Sequence, residues 1–145
     1  MLIWERMWAL YGAGTALQYD VLLAPHHCSW HSLSYDSWSE CREKAQVSQD
    51  ARSALAQARS GAFIIASSEP IKDDDVDPPC IRAKREYQSI LDDVPNSMFL
   101  CVGEEPNTWS PQPLELTVTA AGVKRQAGKR SAIGAVAAAA APRAG

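Results

Sequence analysis

Long apolar runs are the first thing this 145-residue chain lacks: none approaches the ~18–20 residues of a membrane span, which excludes a helical membrane protein on sequence grounds. The first residues carry no basic n-region, and Glu5 and Arg6 interrupt their apolar stretch, so a secretory leader is not expected. Cys28, Cys41, Cys80 and Cys101 are widely spaced and include no Cys-x-x-Cys pair, which excludes a zinc ribbon and a thioredoxin-type motif. Four cysteines would permit two disulfides, but with nothing marking secretion, free thiols in a cytoplasmic setting are expected. Histidine is scarce as well, and His26, His27 and His31 all fall within one short segment. Acid is absent after Glu115.

What is present is globular in character. Apolar residues make up 46% and charged residues 21% of the chain, and the length suits one domain with a real core. The net charge of -3 conceals an asymmetry, because residues 1–115 hold nine basic and seventeen acidic residues while the remainder holds only basic ones. An acidic body followed by a basic, alanine-rich tail is therefore expected. The pairs Lys124-Arg125 and Lys129-Arg130 could make weak, salt-sensitive nucleic-acid contacts, but without interleaved aromatics a solvated tail is the simpler expectation.

Periodicity divides the body into alternating elements. Residues 2–11 carry two adjoining apolar stripes at helical spacing, which predicts a helix buried on most sides and ended by Gly12 and Gly14. With nothing before it to cover that helix, an upstream portion is expected. Residues 20–24 form a short apolar run stopped by Pro25, and residues 29–39 read as a Ser-, Trp- and Tyr-rich loop. Ser48 can cap a helix reaching about Arg59 and ending at Gly61, followed by a buried strand over residues 62–66. The proline- and aspartate-rich segment 67–79 must be a loop, with Pro78 or Pro79 in the first turn of a helix to about Leu91. Residues 98–102 predict a third strand, and residues 114–119 alternate as a half-exposed edge strand does. The pattern is that of a layered α/β fold with helices on a sheet.

The run Tyr19-Asp20-Val21-Leu22-Leu23-Ala24-Pro25-His26-His27-Cys28-Ser29, with Ser32 and Ser34 just beyond, resembles the last metal-binding motif of the metallo-β-lactamase-fold hydrolases. The competence-type and phosphorylcholine-esterase-like subgroup is the most similar, since there a strand leads into His-His-Gly-Ser and a Ser-rich loop. The resemblance implies that residues 1–103 are the C-terminal half of an αββα sandwich, residues 104–119 a linker and edge strand, and residues 120–145 a disordered tail. It also implies a two-metal site, of zinc or another divalent transition metal, with His27 as a ligand and His26 beside the substrate. Water activated by such metals attacks an ester or phosphodiester of a small-molecule or nucleic-acid substrate. Ser29, Ser32 and Ser34 are candidate orienting partners for the imidazoles.

The departures from that family are equally explicit. Its early motif His-x-His-x-Asp-His is absent, as are its middle histidine and bridging aspartate, and Cys28 stands where glycine follows the His pair. One histidine cannot hold a catalytic zinc, which needs about three protein ligands. The chain thus reads either as part of a metallohydrolase or as a non-catalytic α/β remnant or interaction protein that has lost the metal site. Two local readings compete: an exposed loop that binds nothing, and a self-contained site from His27, Cys28 and His31, in which His27 and His31, four apart, would share a helix face. A calcium loop over Asp73, Asp75 and Asp77 is excluded, because Pro78 and Lys84 occupy the positions that need glycine and glutamate. The charges of Arg82, Lys84, Arg85 and Glu86 are expected on a wet helix face, and Trp30, Tyr35 and Trp38 in packing.

Overall fold

Three parallel strands, β1 (Tyr19–Leu23), β2 (Ala58–Ala66) and β3 (Met98–Cys101), form a sheet in the order β1-β2-β3 in a computed structural model that describes residues 3–126. Helices α1 (Ile3–Tyr11), α2 (Gln49–Leu55) and α3 (Ile81–Leu91) accompany it, and β4 (Leu116–Thr119) pairs antiparallel with β5 (Gly122–Arg125) in a second sheet. The architecture is mixed α/β, with β1-α2-β2 and β2-α3-β3 crossovers of the kind parallel pairing requires. No helix among the described residues is long and apolar enough to cross a membrane.

The central strand shows why the layers stack as they do. Residues 62–66 of β2 are all buried, as a strand covered on both faces must be. Ala62, Ile64 and Ala66 alternate with Phe63 and Ile65, so the two sets face opposite layers. Ile64 and Ala66 join the large cluster that holds Leu55, Ala83, Tyr87, Ile90 and Leu91 of the helices, whereas Phe63 and Ile65 meet Leu100 and the hairpin residues Leu116 and Val123. On α3 the buried Ala83, Tyr87, Ile90 and Leu91 recur at helical spacing, and Tyr87 stacks on Phe99 with ring centroids 6.0 Å apart.

Several sequence expectations are corrected here. Helix α1 buries only Trp4 fully, with Ile3, Leu10 and Tyr11 more than half exposed, because among the described residues its main partner is α2, which covers one side of it. Ser48 caps α2 as expected, its hydroxyl accepting from the Ala51 amide, but the helix ends at Leu55 rather than near Arg59. Gly61 does not terminate it: it lies inside β2 at φ +79°, where the pairing with β1 slips between Tyr19 and Val21. Pro78 and Pro79 precede α3 rather than entering its first turn, and Cys80 occupies its N-cap. Residues 120–126, assigned above to the tail, belong to the β4–β5 hairpin, while residues 127–145 lie outside those described. All four cysteines are free thiols.

Candidate functional site

Parallel sheets gather their loops at the carboxyl ends of the strands, and ligand crevices form there. In this chain a crevice of about 1060 Å³ lies at that edge. His27 contributes from the loop after β1, residues 67–70 from the loop after β2, and Val102 and Gly103 from the end of β3, with Pro111 and Pro113 on its outer wall. The loops are tied together below it: the Ala24 amide donates to the Ile65 carbonyl at 2.8 Å and the Gly103 amide to the Ser68 carbonyl at 3.0 Å. Gly103 is required by that approach, since a Cβ there would lie 2.7 Å from backbone atoms of Ser68, Glu69 and Pro70. Glu104 fastens the same corner by accepting from the Ile71 amide at 2.9 Å and from Lys84 Nζ at 2.6 Å.

The His pair sits on an unusual piece of backbone. His26 (φ +48°), His27 (φ +56°) and Cys28 (φ +70°) are three consecutive non-glycine residues in the left-handed region. Side chains rarely adopt it, and the cost is about 1–2 kcal/mol per residue. Cys28 holds the conformation that glycine would adopt freely, and its side chain anchors the turn from beneath: it is fully buried, and its carbonyl accepts from the Cys80 amide at 3.0 Å. Burial, reinforced by the neighbouring Cys80 and Cys101, pushes the Cys28 thiol up to about 12, so it is neutral and unreactive. The same burial raises Cys80.

Both imidazoles stand exposed above this anchor, with ring centroids 6.3 Å apart. His27 Nδ1 lies 2.6 Å from the Ser67 carbonyl oxygen. A carbonyl only accepts, so Nδ1 is the donor in this bond, the arrangement by which metal-ligating histidines are oriented through their other nitrogen. His27 lines the crevice, whereas His26 lies beside it and His31 sits exposed on the turn Trp30–Ser32.

The other expected participants are placed elsewhere. Cys28 is buried, and residues 26–28 are left-handed rather than helical, so His27 and His31 do not share a helix face. Ser29, Ser32 and Ser34 bond to the His31 amide, the Ser29 carbonyl and the Gln46 carbonyl respectively, and none orients His27. Ser67 does so, and the reading of the sequence missed it because the partner is a backbone carbonyl 40 residues away. No three His, Cys, Asp or Glu side chains come together as a metal-binding group among the described residues. His27 therefore fits one ligand position and does not by itself make a site.

The charged candidates are engaged in structure. Arg82 lies over the Trp30 and Trp38 rings, 5.5 and 5.4 Å from their centroids, and pairs with Glu43. Lys84 pairs with Glu104, Arg85 with Asp73, Glu86 with Arg52, and Arg42 with Asp75. Asp77 accepts from the Trp30 amide at 3.1 Å. The aspartate loop is thus pinned by cations and an amide. Searches of protein-family models, curated proteins and solved structures return no match to this chain.

Proposed function

We propose that this chain is the C-terminal portion of a metallo-β-lactamase-fold metallohydrolase domain, the second half of an αββα sandwich, with His27 as one metal ligand and His26 beside the substrate. One observation carries the reading: a motif of that family's type ends β1, and its second imidazole, fixed through Nδ1 by the Ser67 carbonyl, lines the crevice of about 1060 Å³ at the strand ends. The left-handed turn adds support, since strain of this kind gathers at functional sites. A bound zinc or related divalent ion would supply an activated water and stabilise the developing oxyanion. This chain's own part is to fix one imidazole in direction and to provide the wall against which a substrate rests.

The test begins with the in-frame coding sequence upstream of Met1, where His-x-His-x-Asp-His and an aspartate shortly before Leu2 are expected. Protein carrying that extension is expected to retain zinc and to hydrolyse bis(p-nitrophenyl) phosphate or p-nitrophenyl acetate. His27→Ala is expected to lower that activity at least about 100-fold, as loss of transition-state stabilisation by a metal ligand would. Absence of the upstream motif, together with less than about 0.2 equivalent of zinc in the purified chain, overturns the reading for this polypeptide, because a catalytic zinc needs about three protein ligands. That result would favour the second reading, a non-catalytic α/β domain that has lost the metal site.

A further inference from the structure

Taking the crevice as part of the substrate site of the proposed domain, we infer that its apolar wall receives an uncharged, ring-sized group of the substrate, with Trp109 closing over it, and that without metal it discriminates against anions. Its walls carry the first part of the argument. Pro70, Pro78, Pro79, Val76 and Val102 provide apolar surface, and the prolines have little freedom to lose when a ligand arrives. Among the described residues that line the crevice only His27 and Glu69 can ionise, and none is Lys or Arg. Among the described residues no cation pairs with Glu69, so its carboxylate is uncompensated by them. An anionic substrate group would meet one negative charge and no positive one.

A second hollow of about 590 Å³ adjoins the first and shares Glu69, Pro70, Val76, Pro79 and Thr108 with it. It adds Lys72, but also Asp74 and Glu104, and Glu104 is already committed to Lys84. Acid therefore prevails in both. Trp109 lines this second hollow with 94% of its surface in water, the most exposed of the large apolar residues described. It is nonetheless presented in a defined way, because Asn107 Oδ1 accepts from the Trp109 amide at 3.1 Å and the Ser110 amide at 3.0 Å. An indole held in water beside a proline-walled crevice is a ready contact surface, since burying it against a ring is favourable and its two side-chain torsions cost little to order. Burying a charge there would be costly without a partner.

The test uses two probes with one ring system: neutral N-phenyl-1-naphthylamine and its sulfonated analogue 8-anilinonaphthalene-1-sulfonate. Titrated by fluorescence into the metal-free chain, the neutral probe is expected to bind at one site and at least about tenfold more tightly than the sulfonate. Trp109→Ala and Val76→Glu, both at exposed positions, are each expected to weaken it at least about fivefold. Val118→Glu, also at an exposed position but on the hairpin and away from the crevice, is expected to leave it unchanged. Equal or tighter binding of the sulfonate overturns the inference, as does a Val118→Glu effect matching that of Trp109→Ala. Far-ultraviolet circular dichroism shows whether each variant is folded, and Val76→Glu decides the matter should Trp109→Ala not be. Because no metal is present, failure of the metallohydrolase reading appears in zinc loading and leaves this titration untouched.

Discussion

Ile64 and Ile65 are neighbours on β2 with the same side chain, and they point into two different environments. Ile64, with no exposed surface, sits among the helices in a cluster that runs from Trp4 to Cys101. Ile65, 6% exposed, belongs with Phe63 and Leu100 to a small cluster that, among the described residues, is roofed by the hairpin and the chain leading to it. The helix face is thus where folding free energy concentrates, and the hairpin face is a cover. The crevice opens at the strand ends common to both, where loops tied by single hydrogen bonds replace packed layers.

The comparison is most sharply tested by truncating each isoleucine. Ile64→Ala is expected to cost about 4 kcal/mol, near the top of the range for buried aliphatic truncations, because rigid neighbours on all sides cannot collapse into the cavity. Ile65→Ala is expected to cost about 2 kcal/mol, since a hairpin can settle onto the gap. Urea denaturation of both variants measures the difference. Equal losses would mean that the hairpin is packed as firmly as the helices.

Gly103→Ala comes next. Its Cβ would fall against backbone of the β2 loop, which cannot move aside as a side chain can, and the expected cost is about 2 kcal/mol. Binding of N-phenyl-1-naphthylamine should weaken in parallel, since the same two loops form the crevice. A variant that keeps full stability and binding would show that the floor is plastic.

A pH-dependent effect follows from the thiol beneath the His turn. An unfolded cysteine ionises near pH 8.5, whereas buried Cys28 holds its proton to about 12. Between those values the unfolded chain binds fewer protons than the folded one, so stability falls as pH rises, by at most about 1.4 kcal/mol per pH unit from this group. Stability is fully present below about pH 8 and declines above about pH 9. Tyr19 and Tyr87, both raised by burial, steepen the decline at higher pH. Urea melts from pH 7 to 11 measure the slope, and Cys28→Ala is expected to flatten it while lowering the overall level. An unchanged slope in that variant would place the lost protons elsewhere.

How much of this was legible in the sequence depends on the range of the interaction involved. All three core strands and the helix before β3 were readable, because period and punctuation are local properties. The end of α2 and the start of β2 were not, since Gly61 carries the same signal in a helix terminator as in a strand irregularity. The one-sided burial of α1 was hidden because an apolar stripe does not say how many partners it has. At the site, the location of His27 after a strand was readable, while its partner Ser67, the left-handed backbone and the role of Cys28 as an anchor arise from contacts about 40 to 50 residues apart. Trp109 was passed over altogether, its signal being a single aromatic in a Pro-, Ser- and Gln-rich segment.

The left-handed turn separates the two regions most finely, because its residues bridge them: His27 lines the crevice, whereas Cys28 belongs to the helix-side core. A non-glycine residue pays about 1–2 kcal/mol for this backbone, and glycine pays about 0.5–1 kcal/mol in lost chain entropy instead. His26 is exposed and its side chain bonds to none of the described residues, so His26→Gly is expected to stabilise the chain by about 0.5 kcal/mol. His27→Gly gains the same relief but gives up the bond to the Ser67 carbonyl, worth about 1 kcal/mol, and is expected to end near or slightly below zero. Cys28→Gly removes a fully buried side chain and is expected to destabilise despite the relief. The order of the three in thermal melts is the measurement. If His26→Gly is the least stable, the turn stores no strain, and its support for a functional site disappears. If the predicted order holds, His26 occupies its position at the expense of stability, as a residue placed for binding or catalysis does.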